Sequence, residues 1–186
     1  MVLLSLPGLL AAQTSQELVD AFSKKYKNAP ALQTSFTVDG RVKGSMILQG
    51  DCFYIEMDEY RIYCDGKVRW FYNEGIEEVT QSAHDPKSGD IIKNPAAFFR
   101  HLHTGYYITA TPAAGEGIHG EAILNVTLLP NESKSPFEKV ILGLRAADTV
   151  PVRIAYTLKE GGSSVITLDG FEIQDPFPAS RFEFVK

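Results

Sequence analysis

The sequence predicts a mainly β domain of the α+β class: one antiparallel sheet of about ten strands with two helices packed on it. Three observations carry this. Gly50–Thr80 is a run of short aromatic and β-branched segments divided by Asp58-Glu59 and Asp65-Gly66, which is hairpin chemistry. The C-terminal half repeats the pattern across connections such as Pro130–Pro136 and Glu160–Ser163, too short for parallel crossovers. Helical signals are confined to Ser15–Tyr26 and Pro95–His103.

The elements follow in order. Val2–Leu10 is an apolar run ending in the small pair Ala11-Ala12, like the end of a secretory leader without its basic start; a short buried N-terminal segment is the alternative. Residues 1–12 are thus expected to be a signal-peptide remnant and 13–186 a single domain. Ser15–Tyr26 is predicted as an amphipathic helix, with Thr14 or Ser15 as N-cap, Glu17 in the first turn, and Leu18, Phe22 and Tyr26 on one face. Lys24, Lys25 and Lys27 suit its C-terminal end. Leu32–Val38 and Val42–Leu48 form a hairpin about Asp39-Gly40, with Phe36/Val38 and Met46/Leu48 pointing inward. Gln81–Asp90 is a polar loop. Asn94 caps the second helix with Pro95 at its first position, burying Phe98, Leu102 and Phe99. The remaining strands are Tyr106–Ala110, Ala122–Leu129, Phe137–Leu144, Val152–Leu158, Val165–Ile173 and Arg181–Val185.

Register in Gly50–Thr80 decides which side chains share a face. A two-residue loop at Asp58-Glu59 pairs Met57 with Tyr60, Ile55 with Ile62 and Phe53 with Cys64. A three-residue loop at Asp65-Gly66-Lys67 pairs Cys64 with Val68, Ile62 with Trp70 and Tyr60 with Tyr72. One face then carries Phe53, Ile55, Met57, Tyr60, Ile62, Cys64, Val68, Trp70 and Tyr72; Glu56 faces Arg61 on the other. This register sets Cys52 and Cys64 on opposite faces, which leaves two free thiols, whereas a longer turn at Met57–Glu59 would set them opposite one another. The apolar face itself reads as packed core or as a ligand cavity. Two helices are few for covering a curved sheet, and Tyr and Trp suit a surface that is apolar yet meets water.

Composition narrows the function. A net charge of −5 disfavours nucleic acid as partner. With 44% hydrophobic and 22% charged residues the chain is ordinary globular material. His101 and His103 stand two apart on a helix and point to different sides, and His84 and His119 sit in loops, so no metal site is expected. Catalytic and phosphate-binding signatures are missing, and nothing pairs a nucleophile with a base. No enzyme activity and no cofactor are expected.

The order Asp65-Gly66-Lys67, Trp70, Tyr72, Val79-Thr80 resembles the outer-membrane lipoprotein carrier (LolA-like) family. Ser35-Phe36-Thr37 with Gly44, Asn94-Pro95 with Phe98, and Pro176-Phe177 through Phe182-Glu183-Phe184 extend that resemblance from about Leu18 onward. It implies a strongly curved, incomplete barrel whose concave face is covered by helices as a lid. It also implies a periplasmic carrier in a Gram-negative bacterium, a monomer that shields the acyl chains of lipoproteins taken from an inner-membrane lipoprotein-releasing ABC transporter and passes them to an outer-membrane acceptor. A non-catalytic lipid- or lipoprotein-sensing module on the same scaffold is the alternative. The implied lipid-binding wall is Met46, Leu48, Phe53, Ile55, Met57, Ile62, Trp70 and Tyr72; the implied lid contacts are Leu18, Phe22, Phe98 and Leu102. One departure stands out: where the family carries an Arg-Pro pair that latches the lid, this chain has Leu48-Gln49-Gly50-Asp51.

Overall fold

The computed structural model describes residues 13–87, 91, 93–100 and 102–185. The predicted leader at residues 1–12, His101, and residues 88–90 of the predicted polar loop lie outside them. Helix α1 spans Ser15–Tyr26 as expected. Its start is a capping box: the Thr14 hydroxyl accepts from the Glu17 amide at 3.2 Å, and the Glu17 carboxylate accepts from the Thr14 amide at 2.8 Å. Such a cap contributes about 1 kcal/mol. Leu18, Val19, Phe22 and Tyr26 are buried along one stripe, the spacing expected of an amphipathic helix.

Strands β1 (Ala31–Val38), β2 (Val42–Gln49), β3 (Cys52–Met57), β4 (Tyr60–Cys64), β5 (Val68–Asn73) and β6 (Glu78–Ala83) then run as a meander. Two short helices follow, α2 (Pro95–Arg100) and α3 (Leu102–Gly105). The chain returns to the sheet in β7 (Tyr106–Ile108), β8 (Ala113–Glu116), β9 (Ala122–Pro130), β10 (Phe137–Arg145), β11 (Pro151–Leu158) and β12 (Ser163–Gln174). The sheet has twelve strands in the order β6-β5-β4-β3-β2-β1-β12-β11-β10-β9-β7, with β8 also on β9. Every pairing is antiparallel.

The sheet is strongly curved and does not close: among the described residues β6 and β7 end the order without pairing with each other. A single apolar core joins its far sides: Met46, Leu48 and Phe53 belong to the same cluster as Val126, Leu128 and Leu142, with α1 and α2 between them. The concave face thus wraps the helices. The β1–β2 turn is made by Asp39 and Gly40, both at positive φ (50° and 67°), the type I′ signature that matches strand twist. Opposite Phe36 stands Gly44, where a Cβ would lie 2.5 Å from the Phe36 ring. Gly44 is what lets that ring lie flat across β2.

Three expectations need correction. Strand β6 extends through Gln81–Ala83, where a loop was expected, and Ala113–Glu116 adds a strand that the sequence did not announce. All six β6 side chains are exposed, so no inward apolar alternation marks it. Arg181–Val185 is not a strand: Ala179–Phe182 forms a 3-10 turn and the tail crosses the convex face. Upstream of it Gln49 pins the tail, its side chain donating to the Phe177 carbonyl at 3.1 Å and accepting from the Phe177 amide at 2.7 Å. Phe182 then buries itself against Ile47 and Tyr54.

The third correction is the β4–β5 register. Met57–Tyr60, Ile55–Ile62 and Phe53–Cys64 pair as predicted, and Glu56 faces Arg61 with a 3.2 Å ion pair. Beyond Cys64 the pairing slips by one residue. Cys64 pairs with Arg69, Tyr63 with Trp70, Ile62 with Phe71 and Arg61 with Tyr72. The Asp65 carboxylate accepts from the Lys67 and Val68 amides at 2.8 and 2.7 Å, and Asp65 N–H donates to Val68 O. Gly66, at φ 86°, takes the first place of a two-residue turn in place of the three-residue loop. One residue of slip reverses every side chain. Trp70 and Tyr72 therefore lie on the convex face with Tyr63, and Phe71 on the concave one.

Candidate functional site

Beneath α2 the concave face leaves a cavity of about 260 Å³. Its floor alternates along four neighbouring strands: Phe36 and Val38 on β1, Met46 on β2, Ile55 and Met57 on β3, Ile62 on β4. The far wall is Ile166 and Leu168 of β12 with Ile154 and Tyr156 of β11. Ile91, Pro95 and Phe99 close it from above. A void left by imperfect packing holds at most a water or two, each of about 30 Å³. This space is far larger, and its lining side chains are apolar but for the Tyr156 hydroxyl, so it favours a hydrocarbon over water.

Burial along the lining is graded. Phe36, Met46, Phe99, Ile154 and Leu168 at the helix end are buried, while Val38, Met57, Ile62, Tyr156 and Ile166 toward the hairpin turns are only half-buried. The cavity is therefore deep at the lid and shallow at the turns. Past Met57, Tyr60 and Phe71 continue the concave face into solvent, their rings tilted against each other with centres 5.2 Å apart.

Polar contacts hold the covering segment at three places. Asn94 donates to the Asp85 carbonyl at 3.1 Å while its carboxamide oxygen caps α2 by accepting from the Ala97 amide at 3.0 Å. Arg69 donates to the Lys93 carbonyl at 3.4 Å. Arg100 on α2 pairs with Asp51 on the β2–β3 turn. That turn is where the Arg-Pro pair is missing, and here an arginine comes from the helix and an acid from the sheet. His103 on α3 meets Gln16, Ser23 and Asp20 of α1 at 3.2, 3.0 and 3.5 Å, joining the helices to one another.

The expected residues separate into groups. Met46, Ile55, Met57 and Ile62 line the cavity. Leu48 and Phe53 share their face but lie under the helices, in the packed core. Trp70 and Tyr72, expected on this wall, are on the opposite side of the sheet through the register slip; Tyr72 packs on Phe184 at 5.1 Å. Leu18, Phe22, Phe98 and Leu102 are fully buried helix core, and the lid surfaces that reach the cavity are Ile91, Pro95 and Phe99. Phe36 and Val38 were readable as inward-facing. Ile154, Tyr156, Ile166 and Leu168 were missed as lining, because only the long-range β1–β12 pairing brings them there.

Reactive groups are quiet. Burial pushes the Cys64 thiol up to about 11 and raises Cys52 as well, so both remain protonated, weakly nucleophilic thiols. They stand on opposite faces of β3 and β4 as free cysteines. Burial, with Arg69 second, lowers His84, whose ring packs edge-on against Phe53 at 5.6 Å. Among the described residues no group of His, Cys, Asp and Glu could hold a metal, and no helix is long and apolar enough to cross a membrane.

No family model matches the chain. It is 25% identical over 132 residues, 71% of its length, to the outer-membrane lipoprotein carrier protein of Ralstonia nicotianae. The match spans 58% of that protein. Among solved structures, a conserved protein from Thermus thermophilus superposes with a TM-score of 0.60 at 12% identity, covering 92% of this chain and 94% of that one. A domain from Vibrio parahaemolyticus assigned to outer-membrane lipoprotein sorting superposes with a TM-score of 0.51 at 10% identity, covering 90% and 95%. The chain thus resembles that lipoprotein carrier in sequence and shares its fold with the Thermus and Vibrio structures.

Proposed function

We propose that this protein carries lipoproteins through the periplasm of a Gram-negative bacterium, sheltering their acyl chains between the concave sheet and α2 on the way from inner to outer membrane. The observation that carries this reading is the apolar cavity enclosed between the concave sheet and α2. Each methylene moved from water into such a space contributes about 0.8 kcal/mol. Hydrocarbon that enters must also displace the contacts of Phe99, Pro95 and Ile91, which keeps the net affinity low enough for release. The reaction is physical transfer, with no bond made or broken. Cargo would come from a lipoprotein-releasing transporter of the inner membrane, and the carrier acts as a monomer.

Two measurements test it. Native mass spectrometry of the purified protein incubated with a diacylated lipoprotein should show a one-to-one complex that Ile62→Glu abolishes. Added to spheroplasts, the protein should release newly made lipoprotein into the soluble fraction. Complex formation without release would identify a lipid- or lipoprotein-sensing module; neither result would remove the lipid reading altogether.

A further inference from the structure

Strand β6 ends the sheet, and among the described residues nothing pairs with its outer edge. The His84 amide donates to the Lys67 carbonyl at 2.8 Å. In an antiparallel ladder this fixes the parity: Glu78, Thr80 and Ser82 turn their backbone groups to β5, while Val79, Gln81 and Ala83 turn theirs to solvent. Edges of this kind are normally blunted by lysine, proline, a bulge or a covering loop. Glu78-Val79-Thr80-Gln81-Ser82-Ala83 has neither residue, pairs with β5 without a register shift, and is exposed throughout.

The surroundings select what can dock. Val79 (42% exposed) and Ile76 (62%) give apolar footing beside the edge. The adjoining turns carry Asp58, Glu59, Glu74 and Glu77, and Glu78 opens β6 itself. Arg61 beside them is already engaged by Glu56 and Glu74 at 3.2 and 3.1 Å. Among the described residues Asp58, Glu59, Glu77 and Glu78 have no ion-pair partner. The same field repels a second copy of this acidic edge.

The geometry points to β6 as a docking edge for an extended, basic segment of a partner polypeptide, which adds to the sheet as a further strand. Backbone hydrogen bonds to Val79, Gln81 and Ala83 hold it, and lysine or arginine side chains meet the acidic turns. The edge lies outside the cavity, so this inference stands independently of lipid binding.

The probe is a fluorescein-labelled synthetic peptide alternating lysine with valine, followed by anisotropy, with a glutamate–valine peptide for comparison. The lysine peptide should bind and weaken by about tenfold or more between low salt and roughly 0.3 M salt; the glutamate peptide should not bind. Gln81→Pro removes one solvent-facing N–H and spares the β5 ladder, which edge strands tolerate. It should abolish binding, with circular dichroism and fatty-acid uptake unchanged, while Gln81→Thr should bind like the parent chain. Glu77→Gln/Glu78→Gln should weaken binding severalfold. No binding, equal binding of both peptides, or binding indifferent to Gln81→Pro would overturn the assignment. So would a dimer by sedimentation that Gln81→Pro dissociates, since a second copy would then cover the edge.

Discussion

Filling the cavity should make the protein more stable and less able to bind lipid at once. Apolar voids cost about 24 cal/mol per Å³. For the 260 Å³ cavity the full cost is then about 6 kcal/mol, an upper bound because the shallow end admits water. Ile62→Phe on β4 and Ile166→Phe on β12 add volume from two walls, each from a half-buried position that need not strain the packed end. If together they fill about a fifth of the space, the gain is about 1.2 kcal/mol. For a chain of this size that raises Tm by roughly 2–5 °C. The assay is a urea or thermal melt beside titration with a fluorescent fatty acid. The expected result is higher stability and binding weakened at least tenfold. Loss of stability by the 1–3 kcal/mol typical of overpacked cores, with fatty-acid binding intact, would refute the reasoning: the space would be neither empty nor the binding site.

Other predictions concern the supporting structure. Phe182→Ala removes a ring that is 1% exposed and should cost about 3–5 kcal/mol, measured by urea unfolding. Gln49→Ala frees both backbone groups of Phe177 and should raise amide exchange in residues 176–185 with little change in the rest of the sheet. His84 gives a pH dependence. Its folded value lies below the usual 6.5, through burial first and Arg69 second, against weaker opposite pulls from Asp51, Asp85 and Asp65. Below pH 6.5 the unfolded chain takes up the proton first, so stability should fall as pH drops from 7 toward the lower folded value. In His84→Leu that part of the slope should vanish.

Much of this architecture can be read along the chain, and the places where it cannot have physical causes. The helix start at Thr14, one of the two N-caps expected, the Asp39-Gly40 turn and the Phe53–Cys64 register are each set by nearby residues, and the structure has all three. Asp65-Gly66-Lys67 is compatible with two loop lengths. The choice rests on which amides the Asp65 carboxylate captures, and one residue there carries Trp70 and Tyr72 to the other face. Strand β6 has no buried side chain to announce it. One wall of the cavity, Ile154, Tyr156, Ile166 and Leu168, comes from β11 and β12, whose alternation is plain in sequence but whose place beside β1 is a long-range fact. Cavity and core likewise share one residue vocabulary: Phe99 lines the space while its neighbour Phe98 is sealed in the core, and only packing separates them.

The most direct test uses the chain's single tryptophan. Trp70 is on the convex face, whereas Tyr156 lines the cavity. A lipid brominated on its acyl chain should leave the fluorescence of the native protein nearly unchanged, yet strongly quench Tyr156→Trp made in a Trp70→Phe background. Equal quenching of the two, or quenching of Trp70 alone, would place the hydrocarbon outside the concave face and contradict the account.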